Sequence, residues 1–137
     1  MKSYKFASHT ADVRLLVKAD NLKDLFKVSL EGLVQLLKKN LCKETTEFTL
    51  KEAIKINSPD RTALLIDFLS EVLTCCQINK AIYCKVEFKN LENKSLECTI
   101  YGKKVDKFDE DIKAVTYHEA EIKKENGIFQ TNIIFDI

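Results

Sequence analysis

The sequence predicts an α+β domain, a mainly antiparallel sheet with two amphipathic helices packed on one face. Three observations predict it. Two leucine-rich stretches, around residues 22–37 and 64–76, repeat their apolar residues at helical spacing. Several other stretches alternate apolar and polar residues with the period of a strand. Asn126-Gly127 lies between two β-prone runs, and both residues accept the positive φ of a type I′ hairpin turn. At 137 residues the chain is expected to form a single domain, 1–137, large enough to bury a core.

Each element has its own signal. Residues 3–8 and 13–19 are strand candidates, separated by His9-Thr10-Ala11-Asp12. Asn21 is a good N-cap with Asp24 in the favourable first turn, and Leu22, Leu25, Phe26, Leu30, Leu33, Leu36 and Leu37 form the apolar stripe that follows. Phe48, Leu50, Ile54 and Ile56 alternate as a strand. Ser58-Pro59 is expected to supply an N-cap and a proline at the first helical position. The second helix carries its stripe at Leu64, Leu65, Phe68, Leu69, Val72, Leu73 and Cys76. Ile82, Cys84, Val86 and Phe88 make a half-buried strand, and Leu96, Cys98 and Ile100 are its hairpin partner. Residues 103–111 form a charged loop.

The final hairpin organises the chain. With Asn126-Gly127 as the turn, Glu125 faces Ile128, and a constant register puts Tyr117 opposite Asp136. One face then carries Thr116, His118, Ala120 and Ile122 with Thr131, Ile133, Phe135 and Ile137, and belongs in the core. The other carries Lys113, Val115, Tyr117, Glu119 and Glu121 with Asn132, Ile134 and Asp136. Lys113, Tyr117, Asp136 and the terminal carboxylate of Ile137 collect at one end of this hairpin.

Composition narrows the class. Hydrophobic residues are 45% and charged residues 31%, as in an ordinary soluble globular domain. A formal charge of +1 gives no global field to recruit nucleic acid, so direct binding is expected to be weak or absent and any RNA connection local or through a partner. The five cysteines lack a C-x-x-C pair and histidine partners, which argues against structural zinc. Their odd number and the missing signal peptide lead us to expect reduced, buried thiols in the cytoplasm, with Cys75-Cys76 serving helix packing. No apolar run approaches the ~18 residues of a membrane span, so no membrane partner is expected.

Nothing in the sequence arranges a nucleophile with a base: there is no G-x-S-x-G, no phosphate-cradling glycine loop and no H-E-x-x-H. Of the two histidines, His118 falls on the apolar face and reads as a hydrogen-bonded core residue, while His9 ties down the N-terminal segment. Asp12 and Asp136 are more informative, because each borders a hydrophobic strand, where aspartate is disfavoured. Together with a terminal carboxylate they would form an oxygen cluster, which must bind a hard cation such as Ca²⁺ or Mg²⁺ or else protonate. Lys113 at the same end can oppose that charge or contact a phosphate; the alternative is that it merely flanks the strand.

Asp12 within His9-Thr10-Ala11-Asp12, Leu64-Leu65 to Glu71-Val72-Leu73, Ile112-Lys113-Ala114-Val115-Thr116-Tyr117-His118 and the terminal Phe135-Asp136-Ile137 resemble the archease family in order and spacing, over essentially the whole chain. The resemblance implies a small α+β protein cofactor of RtcB-type RNA ligases, which join RNA ends in tRNA splicing and repair. It implies that the chain promotes ligase guanylylation and multiple turnover without being an enzyme itself, and that GTP and RNA are engaged through the ligase. Carried over by position, the metal-binding carboxylates fall on Asp12, Asp136 and the Ile137 terminus, and the lysine tied to activation on Lys113. His9, Tyr117 and His118 are possible supporting residues. The family often has glycines after the first aspartate, whereas this chain runs Val13-Arg14-Leu15-Leu16-Val17-Lys18. The alternatives are a non-catalytic scaffold or chaperone for another RNA-processing protein and, more weakly, a metal-dependent phosphohydrolase.

Overall fold

The structure is a computed structural model that describes residues 1–8 and 12–137. In chain order it contains β1 (Lys2–Ser8), β2 (Asp12–Ala19), α1 (Leu22–Leu37), α2 (Leu41–Glu44), β3 (Leu50–Asn57), α3 (Arg61–Asn79), β4 (Ala81–Leu91), β5 (Ser95–Lys104), β6 (Ala114–Thr116), β7 (Lys123–Glu125) and β8 (Ile128–Asp136). All strand pairs are antiparallel. The predicted α+β class therefore holds, with the strands divided between two sheets. One has the order β1-β2-β8-β6, with β7 also on β8, and the other the order β3-β5-β4.

The two long helices follow from their caps and stripes. Asn21 accepts a hydrogen bond from the Asp24 backbone N–H at 2.8 Å and starts α1. The N-cap of α3 is Asp60, whose side chain accepts from the Ala63 N–H at 2.8 Å, so the expected Ser58 cap is corrected. Ser58 is instead buried, and its hydroxyl donates to Asp67 Oδ2 at 2.6 Å. The inner faces of both sheets pack on α1 and α3, where Phe26, Phe68 and Phe88 meet with ring centroids 5.7–6.1 Å apart. α3 is long and apolar enough to cross a membrane by length and composition, although polar residues interrupt its apolar run. Its Leu64, Leu65, Ile66, Phe68, Leu69 and Val72 are fully buried in this core.

A second correction concerns the thiols. Cys42 and Cys84 form a disulfide, with Cα atoms 5.5 Å apart, that ties α2 to β4, so only Cys75, Cys76 and Cys98 are free. Cys76 is buried on α3, in keeping with a packing role.

The final hairpin keeps its turn but not its register. Asn126 and Gly127 both take positive φ, 52° and 77°, and Glu125 faces Ile128. Residues 117–122 then leave the ladder, six residues on one side spanning three on the other, before β6 rejoins β8 with Ala114 opposite Asp136 and Thr116 opposite Ile134. An offset of three is odd, and an odd offset exchanges the faces of a strand. Val115 therefore enters the core beside Phe135, Thr116 turns outward, and His118 is exposed rather than a core histidine.

Candidate functional site

The ends of three strands build the site. Because β2 runs antiparallel to β8, the first residue of one meets the last of the other, and Asp12 sits directly across from Asp136. β6 brings Ala114 to the other side of Asp136. Lys113, just before β6, donates its backbone N–H to the Asp136 carbonyl at 2.7 Å, which holds its main chain next to Asp136. Ile137 follows at once, half-buried with its side chain against the core. The structure thus brings Asp12, Asp136, Lys113 and Ile137 together.

It does not bring Tyr117 or His118 to the same place. Tyr117 is 60% exposed, and its hydroxyl donates to Asp67 Oδ1 on α3. This hydrogen bond, followed by burial, raises the phenol above its ordinary pKa. Tyr117 opposite Asp136 is therefore corrected: the three-residue offset carries Tyr117 away from the tip and onto the helix. His9 lies outside the described residues.

The electrostatics of the tip are unbalanced. One carboxylate oxygen of Asp12, Oδ1, is buried without a hydrogen-bond partner. Among the described residues neither Asp12 nor Asp136 has an ion-pair partner within 4.0 Å, and Lys113 has none either. Two like charges directly opposite on an antiparallel pair repel. Among the described residues no three His, Cys, Asp or Glu side chains cluster as a metal site, so a cation here would draw on two side-chain carboxylates and a main-chain donor. The donor set is all oxygen, which suits a hard cation.

Sequence reasoning missed Arg14. It lies two residues beyond Asp12 on the same face, and its Nη1 donates to Glu119 Oε2 at 2.6 Å. That contact ties Glu119 to β2, while Tyr117 and Ile122 of the same segment bond to α3; Ile134, across the ladder from Arg14, is buried. Arg14 Nε and Thr116 Oγ1, which flank Ile134 in one cross-strand row, are also buried without partners. Strand alternation is the signal that could have found Arg14 beside Asp12; the partner 105 residues away has no local signal.

Two surface depressions, of about 350 Å³ and 370 Å³, are lined by other residues, and neither includes Asp12, Asp136 or Lys113. Small-molecule substrates are ordinarily held in concave sites.

Comparison with known proteins follows the same lines. The family model described as Archease protein family (MTH1598/TM1083) matches residues 4–137. The protein called archease from Methanosarcina acetivorans is 27% identical, over 99% of this chain and 97% of its own length. The one from Methanothermobacter thermautotrophicus is 27% identical over the full length of both chains. Among solved structures, the solution structure of Methanobacterium thermoautotrophicum protein 1598 superposes with a TM-score of 0.73 at 23% identity, covering 98% of each chain. A crystal structure from Thermotoga maritima, described as an archease and possible chaperone, gives 0.68 at 17% identity, covering 97% of this chain and 96% of that one.

Proposed function

The chain belongs to the archease family, and from that premise we propose that it is an activator protein of an RtcB-type RNA ligase. In this reading it promotes guanylylation and repeated turnover of the ligase in tRNA splicing or RNA repair, in the cytoplasm, and is not itself the enzyme. GTP and RNA are engaged through the ligase.

The observation that carries the reading is the cross-strand pair Asp12–Asp136 where β2 begins and β8 ends, with one Asp12 oxygen buried and unpaired. Asp12, Asp136 and the Ile137 terminal carboxylate would hold a divalent ion, Ca²⁺ or Mg²⁺. When bound, that ion neutralises the carboxylates and offers a Lewis-acidic contact to phosphate oxygens. The chain's own residues do the rest. The β2–β8 ladder fixes the spacing of the two aspartates, and the Lys113 N–H to Asp136 carbonyl bond holds the main chain of Lys113 next to Asp136. Lys113 is exposed and free of ion pairs among the described residues, so its ammonium can meet a partner's phosphate. Nucleotidyl transfer depends mainly on positioning and charge neutralisation, so a protein without a nucleophile can accelerate it.

A second reading, a scaffold or chaperone without a rate effect, is favoured by the words possible chaperone attached to the Thermotoga maritima structure. The two separate in one experiment. A cognate ligase is incubated with GTP and divalent metal under multiple-turnover conditions, with and without the chain. A large stimulation with no turnover by the chain alone is the expected result. Binding without stimulation would move the assignment to the scaffold, and metal-dependent turnover by the isolated chain would move it to a hydrolase.

A further inference from the structure

We infer that the outer face of the β3-β5-β4 sheet is a low-affinity surface for single-stranded nucleic acid, with one base stacked on Tyr101 and phosphates on Lys51, Lys85 and Lys103. The inner face of this sheet buries Ile54, Val86, Leu96, Cys98 and Ile100 against the helices. The outer face presents a different set. The register aligns Lys51 of β3, Tyr101 of β5 and Lys85 of β4 in one cross-strand row, and alternation along β5 places Lys103 on the same face as Tyr101. Both flanking lysines are exposed. Lys85 Nζ lies 5.6 Å from the centroid of the Tyr101 ring.

Lysine on an edge strand has a simpler use, since it discourages edge-to-edge pairing, and β3 and β4 are both edges. That accounts for Lys51 and Lys85. It does not account for a partly buried aromatic ring placed between them on the central strand. On the same face Glu87, one row away opposite Thr99, reaches Lys85 at 3.2 Å, and Glu97 lies two rows away opposite Lys55. Both members of that pair are more than half exposed, and such pairs contribute little, so Lys85 can exchange it for a phosphate.

Cations ringing an aromatic side chain on an open sheet match a strand that carries both phosphates and unstacked bases. An acidic peptide would use the lysines but not the ring. A duplex keeps its bases stacked inside and cannot offer one to Tyr101. A net charge of only +1 keeps the surface local and the affinity low.

The test measures fluorescence anisotropy of labelled oligo(U) and oligo(dT), with a duplex of equal length and polyglutamate as competitors, on the full chain at low salt. Single strands should bind with a slope of log K against log salt of about −2, from three phosphates at roughly 0.7 each. Tyr101→Ala should weaken binding by about five- to a hundredfold, while Tyr101→Phe retains it. Lys51→Glu should reduce affinity and flatten the salt slope. Lys5→Glu, on the outer face of the other sheet, should change neither. Thermal melts establish that each variant is folded, and Tyr101→Phe and Lys51→Glu test the face without removing the ring. Wild-type binding by Tyr101→Ala, competition by duplex or polyglutamate as strong as by single strands, or no binding at low salt would overturn the inference. No ligase is present, so the outcome is separate from that of the activator reading.

Discussion

Asp12→Asn should make the metal-free chain more stable, not less. In the folded chain Asp12 faces Asp136 across the β2–β8 ladder, and one of its oxygens is buried without a partner. Like charges directly opposite on an antiparallel pair cost about 0.2–1 kcal/mol. A buried acceptor left unsatisfied costs roughly 1–3 kcal/mol. Asparagine removes the charge and offers an N–H₂ donor to Asp136 but keeps a carbonyl oxygen, so it relieves most of the first cost and part of the second. A net gain of about 1 kcal/mol corresponds, for a domain of this size, to a rise in Tm of roughly 3–5 °C. A bound divalent ion acts on the wild type in the opposite sense. At a hundredfold excess over its Kd it stabilises the native state by about 2.7 kcal/mol, a rise on the order of 10 °C. Thermal unfolding of both proteins in EDTA and in millimolar calcium or magnesium therefore gives crossing curves. Wild type starts lower and climbs with metal; Asp12→Asn starts higher and stays. A variant that melts below wild type in EDTA, or climbs as far as wild type with metal, would refute the reasoning.

Four further predictions concern the scaffold. Gly102→Ala would place a Cβ against the Ile82 carbonyl and 2.8 Å from the Tyr83 Cα; neighbours that are backbone cannot rotate away, so a loss of about 3 kcal/mol, the upper end of overpacking costs, should appear in urea unfolding, and a near-neutral result would contradict the packing. Tyr117 has a phenol raised by its hydrogen bond to Asp67, so its contribution is complete below the unfolded value of ~10 and is lost as pH rises through the higher folded value. Phenolate absorbance of wild type minus Tyr117→Phe should titrate late and move back toward ~10 in Asp67→Asn; no movement would sever the pair. Reduction of Cys42–Cys84, 42 residues apart in sequence, should cost about 2–4 kcal/mol, so reductant should lower the Tm of wild type but not of Cys42→Ser. At mildly alkaline pH the free thiols should react slowly, since burial pushes Cys76 and Cys98 up to about 12 and Cys75 up to about 11.

Much of the fold was legible because its signals are local. Asn21 caps α1, the leucine stripes of α1 and α3 face the core, and Asn126-Gly127 makes the turn. The acidic pair was legible too, since strand ends and the terminal motif placed Asp12 and Asp136 at candidate strand boundaries. The register that joins them was only half legible. Counting back from the turn holds for β7, but nothing in residues 117–122 signals that the ladder opens there; Glu119 takes φ of 58° without being glycine or asparagine. Its anchor, Arg14, comes from the other end of the chain. The division into two sheets, the one-turn α2 and the Cys42–Cys84 bridge were equally silent, since each is decided by contacts between distant segments rather than by periodicity.

The claim on which the account rests is that the Asp12–Asp136 tip carries the activating function. The most direct test compares wild type with Asp136→Ala in ligase guanylylation under multiple turnover, after thermal melts have established that the variant is folded. Asp136 is exposed at the end of β8, so its loss should leave the core intact. Stimulation should fall to the level of ligase alone. Full stimulation by a folded Asp136→Ala would contradict it.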